Sequence, residues 1–327
     1  MRVLFYLLVS VGMVAWQSQA ISELRVSDTQ DESQSSAEHE SPQWLGPEGT
    51  SLLAGRATPW QPRIFTERHP DGVLVEVSGG LELFRWQEFG EDNTRLLTEQ
   101  GQRVYFRFSR NNDARQTTGT LYHLTGSLYG GDVEYDGQTQ SFDPNVRKEE
   151  TGYFSAANVD YAGASGELGA GYRFTDFIWG RSLDLVAGVG IDSWTREIAN
   201  GISSQGETVL GLVEDYKIAY SRAAIGMESR KLFWRTQWRA GIKYPFFTKE
   251  TLDTPSVELE PEGRPSAFFM YRVQLTQNST LNEGTFIYFV YDSYRFAKSP
   301  VAASGNFLFR QPRSSMDVVS LSIGRAF

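Results

Sequence analysis

The chain has 327 residues, a formal charge of -9, no Cys and a mean hydropathy of -0.37. The absence of thiols excludes a disulfide scaffold, and an acidic excess spread along the chain leaves no basic face for phosphates, which excludes nucleic acid as a partner. Aromatic residues at 13% and 31 Gly suit many strands joined by turns, and beyond residue 20 no apolar run approaches the roughly 18 residues a membrane helix needs.

Residues 1–20 read MRVLFYLLVSVGMVAWQSQA, with one positive charge at Arg2, an apolar stretch from Val3 to Trp16, and small residues Ser18 and Ala20 before the expected cut. This predicts a secretory signal. In residues 21–41, Glu23, Asp28, Asp31, Glu32, Glu38 and Glu40 oppose a single Arg25 among Ser and Gln, so the segment has too little apolar surface to offset its ordering entropy. The passage to residue 71 is richer in Pro and Trp (Pro42, Trp44, Pro47, Pro59, Trp60, Pro62) and has no strand period. Residues 21–71 are therefore expected outside the main fold, as a periplasmic segment preceding a barrel of residues 72–327.

From about residue 79 the apolar signal has period two. In 233–244, Trp234, Thr236, Trp238, Ala240, Ile242 and Tyr244 fall on one face and Arg235, Gln237, Arg239 and Lys243 on the other. The same split divides Val104, Phe106 and Phe108 from Arg103, Tyr105 and Arg107, and recurs in 158–174. The segments 79–90, 100–110, 118–136, 158–175, 183–196, 214–227, 232–244, 265–277, 284–296 and 316–327 predict ten strands, an even number, with short and long connections alternating. Short connections near 111–117, 176–182, 228–231 and 278–283 fall on one side, and longer ones, including 91–99, on the other. This is the pattern of an all-β, transmembrane, antiparallel up-and-down β-barrel. Phe108, Tyr172, Phe174, Trp234 and Phe327 fall at the short-turn end, and Trp86, Trp194, Tyr216, Tyr244, Tyr294 and Phe296 at the long-loop end, where two aromatic girdles are expected.

The final strand, VVSLSIGRAF, ends on Phe327. With the phrases FRWQEFGEDNTRLLTEQG, VEYDGQTQ, GELGAGYRF, SWTREI, YDSYRFAKSP and QPRSS, the chain resembles bacterial outer-membrane β-barrel proteins, in particular a proteobacterial group of unassigned function. The resemblance implies an outer-membrane location and insertion by the outer-membrane assembly machinery through the strand ending in Phe327. It departs from the usual terminal signal at Arg325, and it brings no activity with it.

Of three His, only His123 lies on a predicted strand, two residues from Thr125; outer-membrane hydrolases place such a pair toward lipid, whereas His123 is expected inward. Asp132, Asp192, Glu214, Asp215 and Asp292 are expected near the long-loop rim with no His beside them. Alternation turns Arg103, Arg107, His123, Glu167, Arg173, Asp184, Asp192, Arg196, Arg222, Arg235, Arg239, Lys243 and Arg272 to the lumen, a basic excess that ten strands enclose in a narrow space. The cations Arg235, Arg239 and Lys243 stand about 13 Å apart along their strand, so each needs a partner on another wall or water. The leading expectation is a non-enzymatic structural or surface-interaction protein. It acts through loops near 129–150, 197–213, 245–264 and 297–315 on an external ligand, among outer-membrane lipids, with no cofactor or metal. A narrow anion-preferring pore and an outer-membrane hydrolase are the alternatives.

Overall fold

In the computed structural model the described residues are 72–327, apart from 139–153, 179, 205, 207, 232–233, 254–255, 276–283 and 306. The expected signal sequence and the segment 21–71 lie outside them. Ten long strands follow one another: β1 (Leu74–Phe89), β2 (Arg95–Asn111), β3 (Gly119–Gln138), β4 (Phe154–Ile178), β5 (Arg181–Ile198), β6 (Leu212–Arg230), β7 (Trp234–Asp253), β8 (Ser266–Leu275), β9 (Gly284–Phe296) and β10 (Arg313–Ala326). Each pairs antiparallel with its neighbours in sequence, and β1 pairs with β10 from Glu76↔Ala326 to Phe89↔Arg313, which closes the sheet. At the seam Val75 N–H donates to the Phe327 carbonyl (3.1 Å) and Phe327 N–H to the Val75 carbonyl (2.9 Å). Closure leaves no open edge, the condition under which strands survive in hydrocarbon.

The exterior and interior divide by alternation. Leu81, Leu83, Val104, Leu168, Val189, Ile242, Leu321 and Ile323 point outward, each more than half exposed, with Ile191 at 67%. A contiguous apolar belt on the outside of a closed sheet with charged residues inside is the arrangement of a transmembrane barrel. Phe108, Tyr172, Phe174, Trp234 and Phe327 are exposed at its lower edge, where β1 begins, β10 ends and the short turns lie. The upper girdle is corrected: Tyr244 is exposed, but Trp86, Trp194, Tyr216, Tyr294 and Phe296 are buried in the interior. Most strands run 16 to 25 residues, longer than the roughly 9–11 that cross a bilayer, so the upper wall stands in water. There the outward positions are Arg85, Gln87, Gln100, Asp215, Lys217 and Lys249, and large rings are sheltered inside.

The first upper connection is also shorter than expected, because β1 and β2 extend to a turn at 90–94. Gly90 N–H bonds the Thr94 carbonyl (2.8 Å), and Asn93 takes a left-handed φ of 66°. The larger upper connections carry structure of their own. Gly201–Ser203 adds to the top of β4, Ser256–Leu259 pairs with β7, and Ala302–Ser304 forms a hairpin with Phe307–Phe309. Substituting Val189 by Arg, in the middle of the belt, is expected to lower folding stability in lipid vesicles by about 2–4 kcal/mol, whereas Lys217→Ala above it should stay within about 0.5 kcal/mol. Reversible denaturant titration of the vesicle-inserted protein measures both.

Candidate functional site

The lumen is built in three tiers. At the lower end the turn between β2 and β3 folds across the mouth instead of projecting away from it: Asn111, Asn112, Asp113 and Ala114 are 4%, 3%, 6% and 0% exposed. Asn112 pins the turn to β3, accepting from Tyr122 N–H (2.7 Å) and donating to the Thr120 carbonyl (2.9 Å). Four arginines of β4, β6 and β7 reach it from the facing wall. Arg173 Nη1 donates to the carbonyls of Asp113 and Arg115 (2.7 Å each), while its Nε and Nη2 hold Asp184 bidentately (2.7 Å each). Arg239 reaches Asp113 Oδ1 (2.7 Å), Arg230 donates to the Ala114 carbonyl (2.5 Å), and Arg235 bonds both the Asp113 carbonyl and Glu228, the latter at 2.7 Å.

The middle tier surrounds a cavity of about 170 Å³. Glu167 lies 3.0 Å from His123 Nε2, accepts from Tyr220 OH (3.0 Å) and pairs with Arg222 (2.8 Å). Asp292 joins Arg222 (3.0 Å) and Lys243 (2.9 Å), and Asp192 accepts from Tyr129 OH (2.5 Å) and Tyr294 OH (3.0 Å). Arg103 pairs with Glu82 (2.8 Å) under the ring of Phe84 (4.2 Å), and Arg272 with Glu76 (2.7 Å). Arg107 differs: it donates to Thr125 Oγ1 (3.4 Å) and lies 4.8 Å from the Tyr288 ring centre, with no carboxylate within 4.0 Å among the described residues.

The upper tier combines rings and acids. Trp194 stacks on Tyr216 (5.1 Å) and Tyr294 on Phe296 (5.8 Å), with Trp86 edge-on to Tyr216 (5.5 Å). Beside them Arg196 contacts Glu99 and Glu214 closely and Glu88 at 4.0 Å. Tyr161 OH donates to Glu99, and Trp86 Nε1 (3.0 Å) and Gln311 (2.9 Å) donate to Glu88. Glu250 is buried in the same tier, without an ion pair to Arg196 within 4.0 Å among the described residues, which makes a cage of four buried carboxylates with one guanidinium; its Oε2 has no hydrogen-bond partner among the described residues. Burial pushes the Glu88 carboxyl up to about 6, and it likewise raises Glu99 and, helped by Glu214 and Glu88, Glu250.

All of Arg103, Arg107, His123, Glu167, Arg173, Asp192, Arg196, Arg222, Arg235, Arg239, Lys243 and Arg272 line or fill the lumen, and Asp184 joins them. Arg235, Arg239 and Lys243 each find a partner on another wall or turn, Glu228, Asp113 and Asp292 respectively. Two expectations change. Asp192 and Asp292 sit in the middle tier and Glu214 in the cage, leaving Asp132 and Asp215 exposed. The basic excess also disappears, because Glu76, Glu82, Glu88, Glu99, Asp113, Glu228 and Glu250 also turn inward. Register would have found one of them: Glu82 lies directly across from Arg103. Glu250 was expected in the loop 245–264, but β7 runs on to Asp253, and a bulge, where Ala219 pairs with Phe247 and Tyr220 with Pro245, inverts its parity above Phe246.

The cage makes stability depend on pH. A carboxyl whose pKa is raised on folding binds more protons in the folded state, so its contribution is most favourable below about 4.5 and declines as pH rises through about 6. Glu88→Gln and Glu250→Gln should flatten that decline, with each variant gaining melting temperature relative to wild type as pH goes from 5 to 7.5. Gel-shift melting in detergent follows it.

No family profile matches the chain, and no curated protein sequence matches it. Among solved structures it is similar to the outer membrane protease OmpT of Escherichia coli (11% identity, TM-score 0.47, covering 80% of this chain and 100% of that one). It is also similar to the translocator domain of the autotransporter NalP of Neisseria meningitidis (9%, TM-score 0.36, 78% and 88%) and to the attachment invasion locus protein Ail of Yersinia pestis (12%, TM-score 0.26, 78% and 99%). The closed antiparallel sheet, its even strand number and its lipid-facing belt are those of a bacterial outer-membrane barrel.

Proposed function

We propose that the protein is a non-enzymatic outer-membrane barrel with a shut lumen, acting on an external ligand through its upper loops. The observation that carries this reading is the burial at both ends of the lumen. The turn residues Asn111–Ala114 below and Trp86, Tyr216, Tyr294 and Phe296 above are nearly inaccessible to solvent, so among the described residues side chains pack across the lumen at both ends. The upper connections, by contrast, are braced by short strands and by a cluster of Leu252, Val257 and Leu259 with Ala302 and Phe309. They present Ile202, Leu210 and Leu308, 66%, 80% and 70% exposed, and apolar tips held on a rigid scaffold are contact surface. In the middle tier His123 is engaged by Glu167 and Thr125 by Arg107, which favours a structural role for both over hydrolysis.

One observation favours an anion-preferring pore as the second reading: Arg107 faces the cavity without a carboxylate partner among the described residues. Planar-bilayer recording separates the two. The wild-type barrel should be silent, and Asp113→Ala combined with Arg239→Ala, which frees the turn from the wall, should produce brief openings. Steady anion-selective conductance in the wild type, reduced by Arg107→Gln, would establish the pore instead. Replacing 199–211 and 297–312 by short turns should leave heat-modifiable migration intact and abolish binding of the protein to whole host or bacterial cells.

A further inference from the structure

On the outside of the barrel, directly above the lipid belt, one sector of the wall is basic. Arg85 of β1 and Arg295 of β9 both turn outward and converge on Asp317 of β10, at 3.0 and 2.7 Å. Tyr291 OH donates to the same carboxylate (2.9 Å). Arg264 lies across from Arg295 in register, is exposed, and has no carboxylate within 4.0 Å among the described residues. Arg295 also donates through Nη1 to the carbonyls of Tyr294 (2.8 Å) and Met316 (3.0 Å), so the cluster keeps a net positive charge with its unused N–H donors mainly on Arg85 and Arg264.

Height identifies what those donors meet. Arg85 follows Leu83 by two residues, as Asp317 follows Val319 on the opposite-running strand, so the cluster stands about 7 Å above the last belt residues. Leu83 and Leu321 are each 58% exposed to hydrocarbon, and the guanidiniums are therefore at headgroup level. A groove lined by Leu83 and Val319 below and by Arg85, Arg295 and Asp317 above runs along this wall, apolar where acyl chains lie and cationic where headgroups lie. Its far side carries Asp132 and Glu134, which repel an anion and confine it to the β9–β10–β1 side.

We propose that this sector is a binding site for the phosphate group of an outer-leaflet lipid, held by Arg85, Arg295 and Arg264, with the acyl chains along Leu83 and Val319. A phosphate offers the planar forks of arginine several acceptors at once, a match that a zwitterionic headgroup, with its own cation above the phosphate, makes poorly. Basic clusters at a membrane boundary attract anionic lipid in the same way.

Delipidated full-length barrel in detergent, titrated by native mass spectrometry with phosphatidic acid and with phosphatidylcholine, tests the site. Phosphatidic acid should bind at least tenfold more tightly, and Arg85→Gln with Arg295→Gln should remove that preference, while Lys217→Gln on another wall leaves it unchanged. Asp317→Asn provides a variant with the opposite sign: it raises the local positive charge and should tighten phosphatidic acid binding. If the Arg–Asp–Arg cluster were only a structural clamp, the same change would lower thermal stability with no gain in binding. Equal binding of the two lipids, or a preference that survives the double variant in barrels with intact heat-modifiable migration, would overturn the proposal. So would displacement of the lipid by millimolar inorganic phosphate, which would make the ligand a soluble ion.

Discussion

The structure depends on the need to neutralise charge inside a lumen too narrow for bulk water. Alternation sends every second residue inward, and in ten strands that sequence has placed many arginines there. A buried guanidinium stripped of its partner costs about 3–5 kcal/mol, so each must find an acceptor inside the lumen, on a neighbouring strand or a facing one. At the lower end Arg173, Arg230, Arg235 and Arg239 outnumber the wall's own nearby carboxylates, Asp184 and Glu228. The turn between β2 and β3 supplies what is lacking: the Asp113 carboxylate and the carbonyls of residues 113, 114 and 115. Closure of the mouth follows from charge balance, and Ala114, packed against Leu74, Phe286 and Tyr288, adds apolar burial to it.

Where the wall leaves the membrane the exterior turns from apolar to polar, and large rings join the charges inside. Within the belt, apolar residues point out and charges in; above it, the exterior carries Arg85, Asp215 and Lys217 while rings fill the interior. The bulge at Phe246 is part of that transition. Below it Lys243 faces inward and Tyr244 outward; above it Thr248, Glu250 and Leu252 face inward, while both Phe246 and Phe247 meet the exterior. One extra residue thus delivers an aromatic pair to the outer boundary and a carboxylate to the cage on the same strand.

Most of the fold was legible in the sequence because period two, strand parity and loop asymmetry are local signals. The ten segments, the lower girdle and the inward direction of the expected lumen residues all follow from alternation alone. The upper girdle was misread because an aromatic at a strand end looks the same whether the strand ends at the lipid surface or continues into water. Trp86 and Trp194 could be placed only by knowing how far β1 and β5 extend. Pairing partners needed register, and even a short gap does not give it: pairing Ile178 with Arg181 would by itself set Arg173 opposite Val186, and the irregularity between Phe174 and Ile178 moves it opposite Asp184. Asp113 lay in a turn, where no periodicity says that the chain folds inward.

The tiers also differ in sign along the barrel axis, and this bears on conduction more than the total charge does. The lower tier gathers four arginines against Asp113, Asp184 and Glu228, whereas the cage sets Arg196 alone against Glu88, Glu99, Glu214 and Glu250. An anion entering from outside meets the acidic end first, and a cation entering from the periplasm meets the basic end first. Arg107 in the middle tier is attractive to an anion only after the cage has been passed. The packing at the two ends and the order of charge along the axis therefore act in the same direction, each opposing the passage of ions.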